Sequence, residues 1–219
     1  MLILYGWFFG VQTVCLIGLR FVDRTVVDAV PQPLDLNSVS PPVTLLKASN
    51  CSFYVPWTNC VGTDLSAGAI SWTCEGSGIY ITYVNDREFL ESLADNEDGI
   101  KLDELRSVMG FAFRSNVLFT TSADVSLFDP RDDAKMKSYM LLCKMLASSG
   151  PLSGVYSLEC QGLKGFQEGA LSENSMVSLS VFAQEDWEHT LIVAVPSESE
   201  IAPSQQDINT IITTFSVEP

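Results

Sequence analysis

The chain has 219 residues, 47% of them apolar, with 12 basic against 27 acidic side chains and a formal charge of −15. That size and composition describe one ordinary domain with a core to bury, and they exclude a chain left disordered by its charge. The acidic balance, with no run of Lys or Arg, argues against nucleic acid as a partner and would repel anionic lipid headgroups, so any membrane contact has to come from an apolar segment.

Residues 2–21 supply such a segment, with no acidic side chain and one basic one, Arg20. At about 1.5 Å per residue, roughly 20 residues make a helix of about 30 Å, the thickness of the hydrocarbon layer. The expectation is a transmembrane anchor over residues 1–24 that meets the lipid bilayer through residues 2–21, with Tyr5 and Trp7 at the interface. A cleaved secretory signal would want a basic leading region and a small-residue cleavage site, and neither precedes Arg20. Arg20, Arg24 and Lys47 follow the apolar run and favour a cytoplasmic body, but three charges leave its side open.

Over residues 25–46 the composition changes. Pro31, Pro33, Pro41 and Pro42 stand among Asp, Asn, Ser and Gln, which disfavours helix and central strand. This stretch reads as a Pro-rich linker in semi-extended form, the other possibility being a strap wrapped over the domain surface.

In the body, residues 52–55, 69–74 and 79–84 are rich in aromatic and β-branched side chains, and Glu75-Gly76-Ser77-Gly78 between the last two signals a hairpin. A helix over residues 101–114 gathers Leu102, Leu105, Met109, Ala112 and Phe113 on one side, with strand candidates at 117–121 and 124–128. The strongest helical pattern opens at Asp129 and Pro130, carries Met136, Tyr139, Met140, Cys143, Leu146 and Ala147, and is stopped by Gly150-Pro151. Residues 155–160, 165–170, 176–182 and 190–195 follow as a meander of strands. Val177, Leu179 and Val181 alternate there with Ser178 and Ser180. A last helix begins at Ser204 to Asp207 and presents Ile208, Ile211, Ile212 and Phe215 as a stripe. Strands in runs, with helices between and after them, predict an α+β domain over residues 47–219. Its antiparallel sheet is covered by helices and preceded by the single N-terminal transmembrane helix.

The ending, with two strands over 176–195 and a helix through Asp207-Ile208-Asn209-Thr210-Ile211-Ile212-Thr213-Thr214-Phe215, resembles the PsbP-like α/β/α sandwich family. Phe53-Tyr54-Val55-Pro56-Trp57 is similar to that family's opening strand, which runs into a Pro and then Trp. The resemblance covers about a quarter of the chain and carries over no functional residue. It implies a binding or assembly module on a membrane complex, since the family is known for non-enzymatic accessory subunits.

Few constellations carry chemistry. Residues 94–105 look like a calcium-binding EF-hand loop, but placing Gly99 at position six puts Ala94 at one and Leu105 at twelve, so the ligand spacing fails. Of the six cysteines, Cys51, Cys60 and Cys74 are close enough for one disulfide, Cys51 with Cys60 or Cys60 with Cys74, and no CxxC pair suggests zinc. His189, the only histidine, is expected at a surface turn between strands. Phe53, Tyr54, Trp57 and Trp72 are candidates for a partner surface, core packing being the alternative. No catalytic, cofactor or metal residue is assigned. The leading expectation is a single-pass, membrane-anchored accessory or assembly subunit whose partners are the subunits of a membrane protein complex. The alternative is a tethered hydrolase using scattered carboxylates or a cysteine.

Overall fold

Side chains that alternate between dry and wet along consecutive strands build most of the molecule. The computed structural model describes residues 2–48, 50–75, 78–94, 110–126, 131–147, 154–169, 176–183, 187–196 and 203–218. Eight strands form one sheet in the order β1-β7-β8-β9-β10-β6-β5-β4. They are β1 (Gln32–Pro33), β4 (Cys60–Ser66), β5 (Ala69–Cys74), β6 (Ile79–Asn85), β7 (Val155–Cys160), β8 (Leu163–Glu168), β9 (Met176–Phe182) and β10 (Glu188–Ala194). A smaller sheet, β11-β3-β2, joins β2 (Thr44–Ala48), β3 (Cys51–Val55) and β11 (Ser216–Val217).

Register places Trp72, Ile81, Tyr83, Leu179 and Leu191 on one face of the large sheet, as expected of a two-residue period. That face meets Phe53 and Val55 of β3 and the Ile208, Ile211, Ile212 stripe of a C-terminal helix, Gln205–Thr214. Phe53 sits edge-on to Trp72 with ring centroids 5.7 Å apart and stacks on Phe215 at 5.9 Å, geometries that aromatic quadrupoles favour. The helix is closed at its start by a reciprocal cap, in which Ser204 and Asp207 satisfy each other's backbone N–H groups.

On the opposite face Phe166 and Phe182 receive Phe111 and Leu118 from a helix over Phe111–Phe119. The remaining helices are, in chain order, α1 (Leu2–Gly18), α2 (Arg24–Val27), α3 (Asp86–Ala94), with Phe111–Phe119 as α4, α5 (Asp132–Ala147) and the C-terminal helix as α6. Lys144 of α5 is buried, and its ammonium donates to the carbonyls of Ala29, Leu118 and Thr120 at 2.7, 2.7 and 3.0 Å. The side chain thus ties the chain after α2 and the end of α4 to α5, and burial lowers its pKa.

Several expectations are corrected. Among the described residues no helix is long and apolar enough to cross a membrane, so the transmembrane helix, and with it a single-pass membrane localisation, is not supported. The helix α1 has 17 residues, which at about 1.5 Å each falls short of a hydrocarbon layer of about 30 Å. Its Cys15 and the following Leu19 are buried against Leu141 and Met145 of α5, so one face of its last turns packs on protein while Val14 and Ile17 stay exposed. The large sheet is also mixed rather than antiparallel throughout, because β1 pairs with β7 in parallel.

Residues 25–46 are strapped onto the domain. Leu34 and Leu36 pack on the main core, Asn209 donates its amide to the carbonyls of Asp35 and Ser38, and Thr210 donates its hydroxyl to that of Ser40. Residues 117–119, expected as strand, end α4. The EF-hand-like residues 95–105, most of the helix expected at 101–114, and Asp129 and Pro130 lie outside the described residues.

Candidate functional site

A tight turn sets the site. Between β4 and β5, Gly68 has φ +69°, a conformation that side-chain-bearing residues rarely adopt. A Cβ there would lie 2.8 Å from Cβ of Glu88 and 2.9 Å from the Asn85 carbonyl, so glycine is what allows the turn to rest against the start of α3. The Gly68 carbonyl accepts from the Asn85 N–H at 2.7 Å. Asn85 in turn caps α3. Its Oδ1 accepts from the N–H groups of Arg87 and Glu88 at 3.2 and 3.4 Å, and its amide donates to Oε1 of Glu88 at 3.0 Å.

These bonds hold Glu88 at the rim of an open pocket of about 100 Å³ lined by Asp64, Ser66, Gly68, Ile70, Tyr83 and Glu88 among others. Two carboxylates face it, and no Lys or Arg does among the described residues.

Tyr83 forms part of the pocket and also its deep support. Its hydroxyl hydrogen-bonds Nδ1 of His189 at 2.8 Å and donates to Oδ1 of Asn50 at 3.4 Å, and Asn85 donates to the same Asn50 oxygen at 3.2 Å. The His189 ring stacks on Tyr83 with centroids 6.0 Å apart and meets the edge of Phe215 at 5.7 Å. Burial pushes the Tyr83 phenol upward, with Cys51 and the Glu88 charge adding to the effect. Burial likewise pushes the Cys51 thiol to about 11, although its hydrogen bond to Tyr83 works the other way. At neutral pH both groups stay protonated, so Tyr83 gives the pocket a neutral wall and the buried Cys51 thiol is a poor nucleophile.

A second titratable group stands at the same end of β6 and β10. Asp86, the first residue of α3, is pushed up to about 7 by burial and then by the Glu188 charge, with Arg114 working against both. Arg114 is ion-paired to Glu168. Among the described residues no three His, Cys, Asp or Glu side chains are grouped as metal ligands.

Of the aromatic residues considered as a partner surface, Phe53, Trp57 and Trp72 are buried in the main core, and Tyr54 alone is exposed. The backbone N–H of Tyr54 donates to Thr214. Cys60 and Cys74 are bonded in a disulfide across β4 and β5, and Cys51 is a buried free thiol. His189 is not at a surface turn but inside β10, where the neighbouring β6 brings Tyr83 to it.

The residues that make the pocket were not singled out from sequence. One signal was available, because Asn85-x-x-Glu88 follows a strand and has the spacing of a helix-capping pair. Nothing local links that pair to Asp64, which a hairpin turn delivers. In comparisons with known proteins, no family model matches the chain, and neither a curated protein nor a solved structure does.

Proposed function

We propose that the chain is a non-enzymatic accessory or assembly subunit that binds a basic protein, receiving one Lys or Arg side chain of that partner in the pocket beside Asp64. The observation that carries this is the exposed Asp64 at a pocket floored by the protonated Tyr83 phenol, with no Lys or Arg in the lining among the described residues. Sites for whole small molecules run to about 300–1,000 Å³, whereas a pocket of about 100 Å³ suits a single ammonium or guanidinium head. The charge of −15 steers a basic partner toward the surface and repels acidic ones. The resemblance of residues 176–195 and 207–215 to the PsbP-like family agrees with a role in binding rather than catalysis.

The test is an NMR titration of the full chain with N-acetyl-lysine methylamide, using the norleucine analogue as the uncharged control. The lysine probe is expected to move the Gly68 amide and the Asp64 and Glu88 carboxyl signals, and the norleucine probe to leave them in place. Equal shifts with both probes, or shifts kept by a Asp64→Asn, Glu88→Gln double variant, would overturn the proposal.

A second reading, hydrolysis by carboxylates, is favoured by Asp86, whose pKa is pushed up to about 7 beside Glu188. A carboxyl that titrates near neutrality suits general acid–base work. Turnover of chromogenic esters or glycosides that disappears in Asp86→Asn would support it, and no turnover across the panel would remove it. The cysteine form of that reading has little support at Cys51, a buried thiol pushed to about 11.

A further inference from the structure

We infer that the Cys60–Cys74 disulfide is a redox latch on β4: a dithiol reduces it by attack at Cys60, and the edge strand then leaves the sheet while the strands behind it keep their pairing.

The two cysteines face each other directly, since Cys60 is the register partner of Cys74 in the β4–β5 pair. β4 is the last strand of the large sheet, and among the described residues no strand pairs with its outer side. Every residue from Val61 to Ser66 is exposed, Val61 and Leu65 by 60% and 59%, so β4 adds no buried side chain of its own to the core. Apolar burial holds most strands in place, and this one lacks it. What remains is the hydrogen-bond ladder to β5, which runs in register from Cys60 to Asp64 before a shift between Asp64 and Ser66 breaks it. A short ladder without a buried face is marginal in water and needs a further anchor. The disulfide supplies one at the end of the strand away from the Gly68 turn. After reduction that end keeps one tie outside the ladder, the bond from the Glu75 N–H to the Asn59 carbonyl at 3.1 Å.

The rest of the sheet does not depend on the latch. β5 pairs with β6 from Ala69 to Cys74, and its Trp72 is held edge-on to Phe53 in the main core. Disulfide stabilisation grows with the length of the loop that is closed, and here the sequence separation is 14, inside a hairpin that the Gly68 turn already closes. Its constraint is therefore local to β4.

Accessibility fixes the direction of attack. Cys74 is 0% exposed and Cys60 is partly exposed, so an incoming thiolate reaches the Cys60 sulfur. A new S–S bond forms between the reductant and Cys60, the Cys60–Cys74 bond breaks, and the Cys74 sulfur leaves with the electron pair and takes up a proton. The second thiolate of the reductant then attacks its own sulfur in the mixed disulfide, which releases Cys60 and closes the reductant's disulfide. Both electrons and both protons gained by the protein come from the dithiol. The Cys60 thiol finds acceptors in place, because its sulfur lies 3.9 and 3.8 Å from the carbonyl oxygens of Trp57 and Thr58. A disulfide sulfur has no hydrogen to offer them.

Release of β4 uncovers what lies beneath it. Gly62 rests on Trp72, where a Cβ would come 2.9 Å from the indole Nε1, so the indole loses its cover. Asp64 withdraws from the pocket that it lines. Loss of the lysine response on reduction rests on the role proposed for the pocket, whereas the unlatching stands without it.

The experiment compares the full chain, oxidised and after dithiothreitol, by hydrogen exchange read residue by residue in NMR. The amides that bond β4 to β5 are expected to exchange at least about tenfold faster in the reduced protein, and those of the β6–β10 ladder to stay within about twofold. Cys60→Ser, which leaves the buried Cys74 in place, is expected to behave like the reduced protein without any reductant. Glutathione, a monothiol that stops at the mixed disulfide, is expected to mark Cys60 in peptide mapping once iodoacetamide has trapped the freed thiol. Equal ladder exchange in both states, or exchange that speeds up through β6 and β10 as well, would overturn the latch. So would glutathione on Cys74, or a disulfide that dithiothreitol reduces only in denaturant. Faster ladder exchange with no response to N-acetyl-lysine methylamide in either state would remove the pocket's role and leave the latch standing. A lysine response that persists in full after reduction would overturn the withdrawal of Asp64.

Discussion

The hydroxyl of Tyr83 lies 2.8 Å from Nδ1 of His189, and the two rings stack across the neighbouring strands β6 and β10 at the buried end of the sheet. Tyr83 lines the pocket, so the same side chain links the candidate site to the core. Replacing it by Phe keeps the ring and removes the hydroxyl that bonds His189 and Asn50. The expected loss is about 1–3 kcal/mol, the range for withdrawing one partner from buried polar groups, read from urea unfolding. A stability equal to that of the parent would show that the network contributes nothing net.

Asp86 makes stability depend on pH with a definite sign. Its folded pKa is raised from 3.8 to about 7, so the folded state binds this proton more tightly than the unfolded chain does. The contribution is therefore fully present below about pH 4 and is lost as pH rises through about 7. Glu188 strengthens the effect and Arg114 weakens it. The difference in unfolding midpoint between the parent and Asp86→Asn is expected to move in favour of the variant across that window. A difference that stays flat with pH would rule out the raised carboxyl.

Lys144 offers a third measurement. Its ammonium serves the carbonyls of Ala29, Leu118 and Thr120, and Met in its place keeps most of the volume but leaves those acceptors without this donor. Destabilisation of about 2–4 kcal/mol is expected from loss of these charge-assisted bonds, with urea unfolding as the readout. A change within experimental error would mean that desolvation of the ammonium offsets what the bonds contribute.

Thiol reactivity separates the four free cysteines. Cys15 and Cys51 are buried, with burial pushing both thiols up to about 11, whereas Cys143 and Cys160 are partly exposed. Iodoacetamide on the native protein is expected to label Cys143 and Cys160 at least about tenfold faster than the other two, because attack needs an accessible thiolate. Peptide mapping by mass spectrometry reads the order, and denaturant should bring the rates together. Fast native labelling of Cys51 would contradict its burial in the main core.

Elements with a strong local period were legible before the fold was known. Val177, Leu179 and Val181 lie buried in β9, and Ile208, Ile211 and Ile212 face the core from α6, because each pattern needs only neighbours in sequence to define a face. The edge strand β4 has no such signature, since an element exposed on both faces gains nothing from alternation. The pocket was hidden for another reason. Asp64 and Glu88 belong to separate elements, and only the Gly68 turn and the Asn85 cap bring them to one cavity.

By itself, the sequence determined that faces such as the Ile stripe of α6 must leave water. Tertiary structure decided what receives them. Cys15 and Leu19 lie against Leu141 and Met145, Trp72 against Phe53, and His189 under Tyr83 in place of solvent. The physical reason is that hydrophobic free energy depends on area removed from water and carries no direction, so the burying partner is chosen by packing between segments distant in the chain.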